Sequence, residues 1–171
     1  MRYPVVRFFE RQISSRGFRF LSSTASFVDT LKEALPPHVE ISTNPYDLEA
    51  HGKGESYHPT ESPSAVVMPS NVEDVVAIVR HCSLHKIPII PFGAGTSVEG
   101  HVAALRGGIS VDMQKFDSVE FEDNEESLPD PIARVGAGVK RRRLNEELRA
   151  TGLQFVVDPG ADATIGGMVG A

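Results

Sequence analysis

Apolar residues in the middle of the chain occur in short runs separated by glycine, proline and polar residues. Residues 65–68, "AVVM", and 87–92, "IPIIPF", are nearly continuous apolar runs, the pattern of strands buried on both faces. Between them, four valines at three- and four-residue spacing predict a helix with its valine face in the core: Val72, Val75, Val76 and Val79. Ser70 and Glu73 form a capping box at its start. The pattern predicts a strand–helix–strand unit.

The flanking segments predict further short elements. "FVDTLKEALP", residues 27–36, predicts a helix that ends at the prolines, and the polar stretch after it, to position 60, predicts an extended connector. Strands are predicted in "GGISVDM", "SVEFED" and "IARVGAG", with a solvated acidic hairpin loop between the last two. "KRRRLNEELRATG" predicts a helix with Leu144 and Leu148 on its core side and Gly152 past its end. One more short strand is predicted before the "DPG" turn.

A glycine-rich loop, "PFGAGTSVEG" at 91–100, begins at the end of the second predicted strand. Glycine lets a ligand approach the main chain closely, so the loop can turn several N–H groups toward an anion such as phosphate. A plain tight turn is the alternative, since such turns are common after strands. The loop lacks the lysine of a nucleotide-triphosphate loop, and it does not open a helix as a dinucleotide fingerprint does. Thr96 and Ser97 would add hydroxyl donors, which favours a phosphate cradle of a third kind.

Composition narrows the class of protein. The 171 residues suffice for one ordinary domain, and a hydrophobic content of 40% is enough for a core. The net charge of −6 argues against a general nucleic-acid binder, and no apolar run reaches the roughly 20 residues of a transmembrane segment. The single cysteine, Cys82, fits a reducing compartment and is interpreted as a packed thiol. His81 and His85 lie four residues apart but have no third ligand nearby, which disfavours a zinc site.

The first 26 residues differ in composition from the rest. They hold five arginines against one glutamate, a charge of +4, together with five serines and interleaved apolar residues. An Arg-rich and Ser-rich segment that is nearly free of acid is typical of an organelle transit peptide. Residues 1–26 therefore predict a mitochondrial presequence, with a disordered or membrane-surface N-terminus as the alternative.

Five separated motifs resemble the vanillyl-alcohol-oxidase-type, or PCMH-type, flavoproteins, and most closely their mitochondrial D-lactate dehydrogenase (cytochrome) branch. They are "PSAVVMPSNVEDVVAIVRHCSLHKIPIIPFGAGTSVEGH", "GGISVDM", "RVGAGV", "LNEELRATGLQF" and "DPGADATIGGM". They occur in the family's order within residues 47–171, and "TSVEGH" and "ATIGGM" are the most specific. The resemblance implies an α+β FAD-binding PCMH-type domain over residues 61–171, with the first α/β subdomain and the start of the second, ending before the cap domain. Residues 27–60 would form an N-terminal helix and connector.

The resemblance also implies contacts with FAD. The loop at 92–97 would hold the pyrophosphate, residues 100 and 101 would make a further contact, and two later segments would line the flavin and its ribityl chain. The implied residues are Phe92, Gly93, Ala94, Gly95, Thr96, Ser97, Gly100, His101, Pro159, Gly160, Thr164, Ile165, Gly166 and Gly167. Members that bind flavin covalently carry a histidine within this loop, whereas residues 92–97 contain none, so the resemblance implies noncovalent FAD.

The implied activity is the oxidation of a D-2-hydroxy acid, D-lactate to pyruvate, with electrons passed to cytochrome c. Glycolate and D-2-hydroxyglutarate stay open as substrates. No residue is assigned a catalytic or metal-binding role, because the family places those residues after "GGM". The alternatives are a noncatalytic fragment and a nucleotide binder without flavin. His51 and His58 are assigned to the surface or connector, and Asp112 is expected to bond local backbone at a strand end.

Overall fold

The structure, a computed structural model, describes residues 24–122 and 132–170. The helices are α1 (Thr24–Ala34), α2 (Pro45–Gly52), α3 (Val72–His85), α4 (Arg141–Leu148), which continues into a 3₁₀ turn at Arg149–Thr151, and α5 (Ile165–Gly170). The strands are β1 (Glu40–Ser42), β2 (Ala65–Met68), β3 (Ile89–Phe92), β4 (Ile109–Asp112), β5 (Val119–Glu122) and β6 (Ile132–Val135). In the described residues, no helix combines the length and the apolar composition that crossing a bilayer requires.

The main sheet has the strand order β1-β2-β4-β3. Strands β2, β4 and β3 are parallel, and β1 pairs with the edge of β2 in the antiparallel direction. The near-continuous apolar runs are explained by this arrangement, because a parallel sheet is covered on both faces. On one face, α1 and α3 pack over β2 and β4 around the fully buried Leu31, Ile78 and Ile109. The opposite face holds the fully buried Val66 and Ser110.

The helix predicted between the two strands is confirmed as α3, but its core face is not the valine face. Val72 is 62% exposed, and Val76 and Val79 also face solvent. The buried stripe is instead Asp74, Ile78 and Cys82, at positions i, i+4 and i+8. Burial raises the pKa of the Cys82 thiol to about 11, which confirms the packed thiol.

The cap of α3 is shifted by one residue from the predicted Ser70–Glu73 box. Asn71 is the N-cap, and its side-chain oxygen accepts a hydrogen bond from the N–H of Asp74 at 2.8 Å. The Asp74 carboxylate in turn accepts from the N–H and the hydroxyl of Ser70, and His38 Nε2 lies 2.9 Å from its other oxygen. Burial alone would raise the pKa of Asp74, but the bonds from Ser70 and His38 outweigh it and lower that pKa. The buried charge is therefore paired.

The predicted connector contains regular structure. Residues 45–52 form α2, which is capped by Asn44 and has Pro45 in its first turn, and residues 40–42 form β1. The helix was not predicted because it carries no apolar stripe: its buried residues are His51 and Gly52. The helix corrects the interpretation of residues 45–52 as part of an extended connector.

The second unit is an antiparallel pair, β5 with β6, followed by α4. Val139, Leu144 and Leu148 form its core, with Phe155 and Ile165 packed against them, which confirms the core side predicted for α4. Gly152 ends the 3₁₀ turn at φ 75°, as its C-cap position predicts. The prediction of a strand before "DPG" is wrong, because residues 153–157 belong to no strand of either sheet. The acidic loop between β5 and β6 lies outside the described residues.

Candidate functional site

The glycine-rich loop begins where β3 ends, at the carboxyl edge of the parallel strands. Gly95 and Gly100 have positive φ values of 70° and 73°, which only glycine adopts readily. The N–H groups of residues 93–98 donate to no acceptor within residues 24–122 and 132–170. Consecutive N–H groups without acceptors, on a half-buried loop at the end of parallel strands, are donors available to an anion.

The two hydroxyls of this loop differ in their engagement. Ser97 Oγ accepts from the N–H of Glu99 and lies 3.2 Å from Nδ1 of the exposed His101. Thr96 Oγ1 has no hydrogen-bond partner among the described residues. The Thr96 hydroxyl can therefore add a donor to the six N–H groups, whereas the Ser97 hydroxyl already orders the turn toward Glu99.

The connector after α2 supports the loop from behind. A Cβ placed on Gly54 would lie 3.1 Å from the carbonyl oxygen of Ser97 and 3.8 Å from that of Gly95. A Cβ on Gly100 would lie 2.7 Å from the ring of His58. His58 is exposed, so its predicted connector role is confirmed. Residues 54 and 58 thus pack closely against the loop at residues 95, 97 and 100.

The structure brings the glycine-rich loop at 91–100 against the "ATIGGM" motif at 163–168. A Cβ on Gly93 would overlap with the hydroxyl of Thr164, which is itself 2% exposed. Only glycine allows the two segments to approach this closely. Residues 93 and 164 are far apart in sequence, so this contact joins the first α/β unit to the second.

In the "ATIGGM" motif, unlike the glycine-rich loop, the N–H groups of residues 165–167 have acceptors within the protein. Ile165 N donates to Val139 O at 2.8 Å, and Gly166 N donates to Ala137 O at 2.9 Å. Gly167 N donates to the Thr164 hydroxyl at 3.2 Å. The N–H groups of Ile165 and Gly166 attach α5 to the turn after β6. A ligand beside residues 165–167 would therefore meet carbonyl, Cα and side-chain atoms rather than free N–H groups.

The "DPG" segment is exposed. Gly160 has a φ of 85°, and its N–H donates to Asp158 Oδ1 at 2.9 Å, as in a turn closed by an aspartate side chain. The position of a Cβ on Gly160 has no described atom within 4 Å. Asp158 also pairs with Arg141 at 3.3 Å. Pro159 and Gly160 thus lie on an open surface and take no part in the contact between Gly93 and Thr164.

A buried histidine beside the loop was not predicted. His51, assigned to the surface or connector, is 8% exposed, and its Nε2 lies 3.0 Å from Asp112 Oδ2. Its ring packs against Phe92 with centroids 4.2 Å apart. Asp112 also accepts from the backbone N–H of Gln114, which confirms the predicted local bond. The surface assignment of His51 is wrong because the chain folds α2 over the carboxyl ends of β3 and β4.

A family model described as "FAD binding domain" matches residues 63–171. The chain belongs to this family. FAD is therefore its cofactor, and the PCMH-type fold inferred from the motifs is confirmed. The FAD-binding domain shares its fold with a solved alkyldihydroxyacetonephosphate synthase, at a TM-score of 0.70 and 23% identity over 85% of this chain and 29% of that one. The anionic pyrophosphate of FAD fits the open N–H groups of the 93–98 loop.

Curated relatives extend over most of the chain. A protein of Danio rerio named "Probable D-lactate dehydrogenase, mitochondrial" is 39% identical over 155 residues, covering 91% of this chain and 30% of the relative. A D-2-hydroxyglutarate dehydrogenase of Stutzerimonas stutzeri is 31% identical over 147 residues, covering 85% of this chain and 31% of the relative. The chain spans about a third of the length of these relatives.

Proposed function

We propose that the chain is the FAD-binding part of an enzyme that oxidises a D-2-hydroxy acid, with D-lactate, giving pyruvate, as the substrate. The observation that carries the proposal is the loop of open N–H groups packed against Thr164. It supplies the pyrophosphate site, and the identity with the Danio rerio relative supports the substrate class. Bound FAD would supply the redox chemistry, by accepting a hydride from the carbon that bears the hydroxyl group.

The residues of this chain act by binding and orienting the cofactor. Gly93, Gly95 and the neighbouring N–H groups hold the phosphates noncovalently, and Thr96 adds a hydroxyl donor. Gly100 and His101 lie along the loop that continues from it. The segment 164–167 would line the flavin, with the N–H groups of Ile165 and Gly166 already bonded to the turn after β6. Pro159 and Gly160 would contact the ribityl chain.

In the proposed reaction the electrons taken from the hydroxy acid would pass on to cytochrome c. D-2-hydroxyglutarate is the second candidate substrate, favoured by the relative of that name. Glycolate and a noncatalytic fragment are the remaining alternatives. All of these share the same cofactor site, so the substrate must be decided by assay.

A dye-linked assay on the full-length protein that contains this sequence, loaded with FAD, tests the proposal. We expect D-lactate to reduce the dye at least about tenfold faster than D-2-hydroxyglutarate or glycolate, since pockets built for a given polar group reject analogues strongly. L-lactate is the matched control, because it differs only in configuration at the reacting carbon. Faster reduction by D-2-hydroxyglutarate would transfer the assignment to that substrate, and no reduction by any of them would favour the noncatalytic alternative.

We also propose that residues 1–26 direct the protein into mitochondria. The mitochondrial names of relatives support this localisation, and α1 begins at Thr24, so only its first turn overlaps the segment. Replacing Arg2, Arg7 and Arg11 by Glu reverses the sign of its charge, so a reporter fused to residues 1–26 should stay in the cytosol.

Lysine at the same three positions is the matched control for import. It keeps the positive charge, so the reporter should still reach mitochondria on imaging and fractionation. Unchanged import of the glutamate variant would show that residues 1–26 are not a presequence.

A further inference from the structure

His51 is enclosed by hydrogen-bond acceptors. Its Nδ1 lies 2.8 Å from the carbonyl oxygen of Asp47 on its own helix, and its Nε2 lies 3.0 Å from Asp112 Oδ2 at the end of β4. A carbonyl oxygen cannot donate, so Nδ1 must carry a proton. Asp112 receives two further hydrogen bonds, from the backbone N–H and the side-chain amide of Gln114 at 2.9 and 3.3 Å. An ionised carboxylate only accepts hydrogen bonds, so Nε2 bonds Asp112 when it too carries a proton.

Both ring nitrogens of the buried His51 therefore have acceptors when the ring is protonated, and the surroundings of the ring stabilise that charge. The Phe92 ring, 4.2 Å from the imidazole, offers its π-system to the cation. Burial by itself would lower the pKa of His51, but the hydrogen bonds to Asp112 and to the Asp47 carbonyl, with the charges of both carboxylates, outweigh burial and raise that pKa above 6.5. Among the described residues, Asp47 of α2 and Asp112 of β4 are the titratable groups that face the ring. Strand β3 contributes only Phe92.

Two packed paths lead from His51 to the phosphate loop. In the first, the imidazole contacts Phe92, whose ring lies 3.1 Å from the position of a Cβ on Gly95. In the second, His51 stands at the end of α2, and the adjoining Lys53 and Gly54 pack behind Gly95 and Ser97. Both paths end at Gly95 or Ser97, within the loop whose N–H groups have no acceptor in the described residues.

We propose that His51 is a positioning residue for the FAD phosphate loop: as an imidazolium bonded to Asp47 and Asp112, it clamps α2 and residues 53–54 beneath the loop, and its deprotonation releases them. The proposal rests on the FAD-binding role of the loop and is independent of which hydroxy acid is oxidised. Loss of one proton leaves two acceptors facing each other or a broken bond, which costs more in a buried site than in water.

The direction of the pH effect is set by the raised pKa of His51. The stabilisation is present in full below the pKa of an unfolded histidine, about 6.5, and is lost as the pH rises through the higher native value. We therefore expect the loop to loosen at alkaline pH. If the protonated form binds FAD about tenfold more tightly, bound FAD raises the pKa of His51 by about one unit, since the coupling is reciprocal.

NMR spectroscopy of the ¹⁵N-labelled chain tests the clamp without requiring cofactor. We expect both ring nitrogens of His51 to be protonated at pH 6.5, and the backbone amides of residues 53, 54 and 93–97 to titrate with the same midpoint as the ring. A second titration, with the full-length protein containing this sequence, measures the dissociation constant of FAD by flavin fluorescence. It should increase about 5- to 10-fold across that midpoint.

Three variants make the outcome specific. Asp112→Asn keeps an acceptor but removes the charge, and it should lower the midpoints of His51 and of the loop amides together. His51→Gln should abolish the titration of the loop amides near that midpoint. His101→Gln removes a histidine whose Nδ1 lies 3.2 Å from the Ser97 hydroxyl, and it should leave the midpoint unchanged. Loop amides that ignore the titration of His51, or that still titrate in His51→Gln, would overturn the proposal even if D-lactate oxidation is confirmed.

Discussion

Gly95→Asp should produce a full-length protein that purifies without FAD. Gly95 has a φ of 70°, and a Cβ there would lie 3.1 Å from the Phe92 ring. The new negative charge would also lie on the same loop as the N–H groups that we assign to the pyrophosphate, so it repels the phosphates. Backbone strain and lost charged hydrogen bonds together amount to about 3 kcal/mol or more, which weakens FAD binding by at least about 100-fold.

Gly152→Asp is the matched control for this change. It introduces the same charge at nearly the same φ, 75°, but the position of its Cβ has no described atom within 4 Å. The control should therefore carry any general cost of the substitution while keeping FAD. The visible spectrum of the purified proteins, with released FAD counted per chain, separates the two results. Stoichiometric FAD in Gly95→Asp would contradict the assignment of the loop.

Gly108→Ala should destabilise the domain strongly, and much more than the same substitution at Gly107. Gly108 is buried with a φ of 96°, and a Cβ there would overlap with the carbonyl of Pro88. Two hydrogen bonds here join the starts of three strands. The carbonyl of Gly108 accepts from Ser64 N, just before β2, and Ile109 N at the start of β4 donates to Pro88 O, just before β3. Strand β4 would have to move away from β3, at a cost of about 4 kcal/mol or more.

The neighbouring glycine provides the comparison. Gly107 has a φ of 65°, but a Cβ there would meet only the Ser64 hydroxyl at 3.7 Å. Gly107→Ala should therefore cost about 1–2 kcal/mol, the contribution of the left-handed conformation alone. Urea denaturation monitored by circular dichroism measures both. Equal losses for the two variants would mean that the contact with Pro88 relaxes at little cost.

Much of the fold could be predicted because local pattern and tertiary position agree. Strands β2, β3 and β4 are apolar runs, and a parallel sheet covered on both faces requires that composition. The core face of α3 could not be predicted by the same reasoning. Its buried stripe begins with Asp74, and a pattern rule assigns a carboxylate to the surface unless its partners, Ser70 and His38, are known.

The candidate site shows the same division. Glycine and hydroxyl residues placed directly after a buried strand predict the location of the loop from sequence. The approach of Gly93 to Thr164 depends on how two units pack, which no local pattern contains. His51 was missed because α2 lacks an apolar stripe and because the partner that keeps the histidine buried, Asp112, lies 61 residues away in sequence.

The position of β4 has a consequence for biosynthesis. This strand lies between β2 and β3 but follows both along the chain, so the two flanking strands emerge from the ribosome before their shared partner does. Until residues 93–112 have also emerged, each strand presents an unpaired edge to other nascent chains and chaperones. At about 5–20 residues per second, this interval lasts on the order of one to four seconds. Codons that slow translation while residues 93–112 emerge would prolong it, so the yield of native protein should depend on the synonymous codons translated at that time.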